Sequence, residues 1–432
     1  MYGMNRKSFV YNSMLGLGGS LIVGDSLGSN VPNENESLKA LESVSADSKK
    51  FDNEAYWKKV SKFFNRPKDF IQFEHGYFSH QPISTLKFHQ LAEIHINTQT
   101  SEFMRTVQET EIESARKHLS EFLGVDSETL VLTRNTTESL NIVIMGFPWK
   151  SGDEVIIGNQ DYGSMVEAFE QASVRFGIVI KVANVPLLPK NDEEIIDAYS
   201  QLVTSKTRML HLTHTINLTG HVIPVNSIVE RCKILNDHLA VAVDAAHSTA
   251  HTIEKIGSLN ADFIAGSLHK WLCTPLGLGY LVMKKSYIDQ IWPLFGDVGM
   301  SKTNIRRFEH QGTRPIHSLQ SIRPAIDFNN AIGFDAKLKR LQYLKESFLS
   351  KVDGQNGIQC ISPWRDIDRG GAVFCIQKHG MKPVDFAKKI MKDFRIFTVG
   401  IDHPVVQGVR ITPHLSNTID DVNRFIEAML KR

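Results

Sequence analysis

Apolar and polar positions follow two rhythms along this chain. From Glu109 to Leu123 the apolar residues Ile112, Ala115, Leu119, Phe122 and Leu123 recur every three or four positions, which predicts a helix with one buried face. From Thr129 the rhythm changes. Short apolar runs, rich in β-branched residues, stand at Thr129–Thr133, Glu154–Ile157, Ile178–Val182, Arg208–Leu212, Leu239–Val243, Phe263–Ala265 and Gly279–Met283. Runs that are apolar on both faces and bounded by polar residues read as buried parallel strands. They alternate with helical segments to about residue 285, so the expected architecture is α/β, a mostly parallel sheet covered by helices. A helical stretch follows from Ala325 to Tyr343. Strands at Ala372–Ile376 and Gln407–Ile411 then alternate with helices at Pro383–Phe394 and Asp420–Leu430, a smaller α+β C-terminal domain. The expected division is a leader and linker over 1–50, an N-terminal segment with a large domain over 51–320, and a small domain over 321–432.

Length and composition change this picture little. At 432 residues the chain has ample length for two cores, and its net charge of +2, with no charge block, argues against nucleic acid binding. The four cysteines lack metal-binding or redox spacing and read as buried free thiols. No apolar run is long enough for a stable membrane span. The first residues stand apart. Asn5-Arg6-Lys7-Ser8-Phe9-Val10 is similar to a twin-arginine signal with Arg-Lys in place of Arg-Arg, and a glycine-rich apolar run from Met14 to Gly24 follows. This predicts export to the periplasm; the bland alternative is a disordered tail on a cytoplasmic protein.

The chemistry lies at the strand ends, where open α/β sheets handle ligands. The run at Leu239 ends in Asp244, and the run at Phe263 leads into Ser267-Leu268-His269-Lys270. Thr136 and Thr137 open a helix directly after a strand, an arrangement that suits an anion, although an ordinary N-cap uses the same residues. Tyr162 and His214 follow other strands, and His247 lies three residues after Asp244. No GxGxxG, Walker or HExxH pattern accompanies them. Taken singly, each has a plain reading: Asp244 as a turn cap, Lys270 as a surface lysine, Arg410 as a surface ion pair. Together they amount to anion donors, an aromatic face, an acid and an amine. That set suits pyridoxal phosphate, whose ring nitrogen needs a carboxylate and whose aldehyde needs a lysine.

The stretch from Val243 to Met283, with Asp244-Ala-Ala-His247 and Ser267-Leu-His-Lys270, resembles the class V aminotransferase family of fold type I pyridoxal phosphate enzymes, and within it the isopenicillin N epimerase-like branch. The motifs Asn135-Thr-Thr-Glu, Asp161-Tyr-Gly, Gln311-Gly-Thr-Arg314 and Val409-Arg-Ile-Thr-Pro-His414 fall in the family's order. The resemblance implies that Lys270 forms the Schiff base and shuttles the α-proton, that Asp244 pairs with the ring nitrogen, and that His247 holds Asp244 or the phenolic oxygen. It implies that Tyr162 stacks on the ring, that Thr136, Thr137, Ser267 and His269 hold the phosphate, and that His214 or Asn217 approaches the phenolic oxygen. Gly312 and Thr313 would reach a neighbouring subunit's phosphate, implying a homodimer. Arg410 would grip the carboxylate of a small amino-acid-like substrate, with His75 on the substrate side. The implied reaction is transamination or epimerisation. A cysteine desulfurase needs a loop cysteine before the arginine, and Arg395–Gln407 holds none. A catalytically silent, cofactor-shaped binding protein is the rival from a different class.

Overall fold

The computed structural model describes residues 41, 44, 49–252, 254–297, 299–364 and 371–431; the expected export signal lies outside the described residues. Helix α1 (Glu54–Ser61) and the short strand β1 (Ile71–Gln72) come first, then α2 (Ile83–Gln99), α3 (Ser101–Thr106) and α4 (Gln108–Leu123). The large sheet is built from β2 (Leu130–Thr133), β3 (Glu154–Gly158), β4 (Val179–Ala183), β5 (Thr207–Thr213), β6 (Ala240–Asp244), β7 (Phe263–Ser267) and β8 (Gly279–Met283), in spatial order β2-β8-β7-β6-β5-β3-β4. Helices α5 (Thr136–Gly146), α6 (Gly163–Phe176), α7 (Asp192–Ser200) and α8 (Val225–Leu235) make the connections. The sheet is parallel except at β8, which runs antiparallel to both β2 and β7. The reason is in the connection. Leu268 to Leu278 contains no helix, and a parallel return needs a longer crossover.

Burial explains why these runs are strands. All five residues of β6 are buried. Val241 and Val243 pack into one core cluster, Ala240 and Ala242 into a second, as alternation on a strand covered on both faces requires. The edge strand β2 is guarded by a side chain. Glu309 accepts the Leu132 N–H at 2.7 Å and pairs with the buried Arg116 at 2.6 Å, so part of that edge offers no free N–H to another chain.

Beyond β8, α9 (Ile316–Gln320), α10 (Ile322–Ile332) and α11 (Phe334–Val352) lead to the second sheet. The helix expected from Ala325 to Tyr343 is therefore two helices, broken at Gly333, whose φ of +89° no helical residue shares. Strands β9 (Ile358–Cys360), β10 (Phe374–Lys378), β12 (Val399–Asp402) and β13 (Gln407–Ile411) form an antiparallel sheet in the order β12-β13-β10-β9. Helices α12 (Pro383–Phe394) and α13 (Ile419–Leu430) pack on it, and β11 (Ile396–Phe397) pairs in parallel with β1. The segment after β1 then crosses between the sheets: Phe73 accepts from the Thr412 N–H, and the Ser79 N–H donates to the His269 carbonyl. No helix among the described residues is long and apolar enough to cross a membrane.

Candidate active site

The carboxyl ends of β5, β6 and β7 converge on a cavity of about 290 Å³. Its lining includes Thr136, Thr137, Tyr162, Asn217, Asp244, His247, Ser267, His269, Lys270 and Arg410, residues drawn from distant parts of the chain. His214 and His75 are buried but lie behind this lining. His214 hydrogen-bonds Ser248 through Nδ1 and donates its amide to the Asp244 carbonyl, so it supports the end of β6 from the rear. Of the two residues expected near the phenolic oxygen, the structure therefore brings Asn217 to the cavity and not His214. His75 stacks on His414 with ring centroids 4.8 Å apart. Gly312 and Thr313 are exposed and are not part of the lining.

One end of the cavity lies at the start of α5. Asn135 caps α5 by accepting the Glu138 N–H at 2.8 Å. The Thr136 amide donates to Ser267 Oγ at 3.1 Å, and the two hydroxyls lie 2.8 Å apart. This ties the start of α5 to the end of β7 and gathers hydroxyls at a positive helix end. His269 adds a buried Nδ1 that no protein atom satisfies. Burial lowers the His269 pKa to about 4, so the ring is neutral at physiological pH.

At the middle sits Asp244. One oxygen accepts the Ala246 N–H at 2.9 Å, and the other takes no hydrogen bond from any described residue. Burial raises its pKa, outweighing the Ala246 N–H, His211 and Lys270, which favour the charged form. A buried acid with a vacant oxygen calls for a cationic or N–H partner. Tyr162 stands opposite, 44 % exposed, at the start of α6. Its turn is held by Asp161, which accepts from Thr213 Oγ1 at 2.7 Å, bonds His211 Nδ1 at 2.8 Å and accepts the Gly158 N–H at 2.8 Å.

Lys270 is half-buried, and its Nζ lies 2.9 Å from His247 Nε2. Burial, with a smaller push from Arg410, lowers the amine's pKa to about 8 against the opposing Asp244 and Glu74. Arg410 reaches the cavity from β13. Its Nη2 lies 2.5 Å from Glu74 Oε1 and its Nε 3.3 Å from Oε2, while Nη1 donates to the Asn217 carbonyl at 3.0 Å. Gly76 makes this possible, because a Cβ there would meet Arg410 Cζ at 3.1 Å. Glu74, Asp161 and Trp271 are contributors that the sequence reading assigned no role. Asp161 did leave a signal, as the acid of the Asp161-Tyr-Gly motif, and Glu74 stands beside the aromatic Phe73.

Residues 86–425 match the family model for aminotransferase class V. The chain belongs to that family. This class V enzyme is 25 % identical over 73 % of its length to isopenicillin N epimerase of Amycolatopsis lactamdurans, covering 83 % of that protein. It is 27 % identical over 73 % of its length to a probable cysteine desulfurase of Halobacterium salinarum, covering 80 % of it. Among solved structures, the apo cysteine desulfurase of Thermococcus onnurineus NA1 superposes with a TM-score of 0.75 at 20 % identity, over 86 % of this chain and 97 % of that one. A C-DES variant with glycine covalently linked to its PLP cofactor gives 0.76 at 19 %, over 84 % of this chain and 97 % of that one. The fold is thus that of the fold type I enzymes, and the cofactor of this class V enzyme is pyridoxal 5′-phosphate. The cavity fits it: the α5 end with Thr136 and Ser267 suits the phosphate, the vacant Asp244 oxygen suits the ring nitrogen, and the Lys270 amine suits the aldehyde.

Proposed function

We propose that this enzyme moves the α-proton of an amino-acid-like substrate, transaminating or epimerising it, with Lys270 as the base. The cofactor supplies the electron sink that makes such a proton removable. The chain's own residues do the rest. Thr136, Thr137, Ser267 and His269 hold the phosphate, Asp244 keeps a proton on the ring nitrogen, and Tyr162 covers one ring face. Asn217, beside Arg410, borders the phenolic side. Arg410 orients the substrate carboxylate, and Lys270, freed as an amine, takes the proton from Cα. Protonation on the cofactor side would give transamination; protonation of Cα by a second acid on the face opposite Lys270 would give the epimer.

The observation that carries this reading is the Lys270 amine, its pKa lowered, in one cavity with Asp244 and Arg410. The cysteines argue against sulfur transfer. None lines the cavity, all four are buried, and burial pushes the thiols of Cys232 and Cys273 up to about 11 and that of Cys375 higher still. A sulfur acceptor works as an accessible thiolate, which these are not. The exposed Gly312 and Thr313 are assigned to the phosphate site of a second copy, which light scattering checks as a dimer mass.

The test is a screen of amino acids with absorbance readout, followed by chiral analysis of the product. The protein is expected to turn yellow with pyridoxal phosphate, and Lys270→Ala to lose that band. Release of alanine and persulfide from cysteine would overturn the reading. A yellow protein whose spectrum no amino acid changes would establish the silent alternative.

A further inference from the structure

Behind Lys270 runs a chain of hydrogen bonds whose direction is fixed by chemistry. It begins at Ala372, just before β10, whose N–H donates to His251 Nε2 at 2.7 Å. A ring nitrogen that accepts carries no proton, and burial lowers the His251 pKa to about 3, so the neutral ring holds its proton on Nδ1. That Nδ1–H donates to the His247 carbonyl at 2.7 Å. Held at both ends, the His251 ring lies flat on the Trp271 indole, with centroids 3.7 Å apart and planes 1° apart. The indole in turn aims its N–H at His247 Nδ1, 3.3 Å away. An indole nitrogen only donates. His247 Nδ1 must therefore accept, and the proton of this buried neutral ring sits on Nε2, facing Lys270 Nζ at 2.9 Å.

We propose that Trp271 is a positioning residue, which fixes the Nε2–H tautomer of His247 and thereby holds Lys270 as a free amine. A nitrogen facing an N–H donor must offer its lone pair, which an ammonium lacks. The proposal rests on the assignment of Lys270 above. The charged and titratable groups facing Lys270 are Asp244, Glu74, Arg410, His247 and His269; those facing His247 are Lys270, Arg410, His251 and His269. Asp244 and Glu74 favour the ammonium form, so the tautomer acts with burial and Arg410 against two carboxylates. Without the indole N–H, His247 is free to carry its proton on Nδ1. Its Nε2 then becomes an acceptor for an ammonium.

Trp271→Phe keeps an aromatic ring on His251 and removes the donor. The full-length protein, freed of cofactor, is labelled with acetic anhydride across pH, and acetylation of Lys270 is followed by mass spectrometry. The wild type is expected to show an inflection near pH 8. The variant's inflection is expected to rise by about one pH unit, roughly a tenfold loss of free amine at fixed lower pH. An unchanged inflection in a folded variant would overturn the proposal. The wild type gives an independent answer should Trp271→Phe not fold. With ¹⁵N-labelled histidine, His247 should show a protonated Nε2 and a bare Nδ1, and the reverse pattern would overturn the proposal. Failure of the cofactor reading is distinct: it shows as a protein that stays colourless with pyridoxal phosphate.

Discussion

At the scale of single residues, Arg410 shows how a charged group is prepared for a ligand. Glu74 occupies the edge made by Nε and Nη2, and Asn217 takes one Nη1 proton. The guanidinium's outer edge stays available, held at a fixed angle, and a planar fork grips a carboxylate through two such protons. Arg410→Lys keeps the charge and loses the fork. The expected outcome is at least a tenfold rise in KM for a carboxylate-bearing substrate, about 1.4 kcal/mol of binding. Affinity for the matching amino-acid amide should be unchanged. Steady-state kinetics with the two substrates checks this. The roles of Asp244 and Lys270 could be proposed from the chain because each ends an apolar run, a local pattern. The Glu74–Arg410 pair could not, since it joins residues 336 positions apart. The role of Trp271 depends on which ring nitrogen faces it, a fact of geometry.

At the scale of elements, the site depends on how closely β8 approaches the start of α5. A Cβ at Gly279 would meet Asn135 Cα at 2.6 Å and its backbone N and C at 2.8 Å. These are backbone atoms and cannot swing away. Gly279→Ala should push the capping residue of α5 off the end of β7, costing about 1–3 kcal/mol of stability as overpacking does. It should also weaken retention of pyridoxal phosphate. A thermal melt and a dialysis assay measure the two effects; a variant that melts and binds as the wild type does would refute the argument. The inner strands of the large sheet were legible because they are buried on both faces and read as apolar runs; the edge strand β4 is largely exposed yet keeps the same β-branched pattern. The direction of β8 was less legible, because it depends on the missing helix between Leu268 and Leu278. Two-residue strands such as β1 and β11 have no period to read. The break between α10 and α11 rests on one glycine inside an otherwise helical pattern.

Across the whole molecule, buried histidines set a common response to acid. Burial lowers the pKa of His214 to about 4, His251 to about 3 and His269 to about 4, and pushes His75, His247 and His414 well below the usual value. In the unfolded chain these groups bind protons near pH 6.5, while in the fold they do so only at lower pH. Their contribution is therefore intact above pH 6.5 and lost as pH falls from there toward 3–4, at about 1.4 kcal/mol per group for each pH unit. Asp244 and Glu346, whose pKa burial raises, and His211, which Asp161 raises against burial, have the opposite sign, three groups against six. The cofactor-free protein should melt markedly lower at pH 5 than at pH 7, and calorimetry across that range tests this. The apolar pattern made the large sheet visible in the sequence and two strands of the small one, β10 and β13, but not β9 or β12, and it gave no sign that β1 pairs with β11, more than 300 positions away.

That contact sets an order in time. Asp69 accepts from Arg395, 326 positions further on, next to the pairing of Ile71 with Ile396. During synthesis at 5–20 residues per second, the segment carrying Glu74 and Gly76 waits roughly 16–65 s for its partners to be made. The large sheet is complete at β8, well before that, so Asp244 and Lys270 can meet while Arg410 has yet to be translated. The cavity's last wall, Arg410 on β13, is thus made only after the residues of its floor already exist.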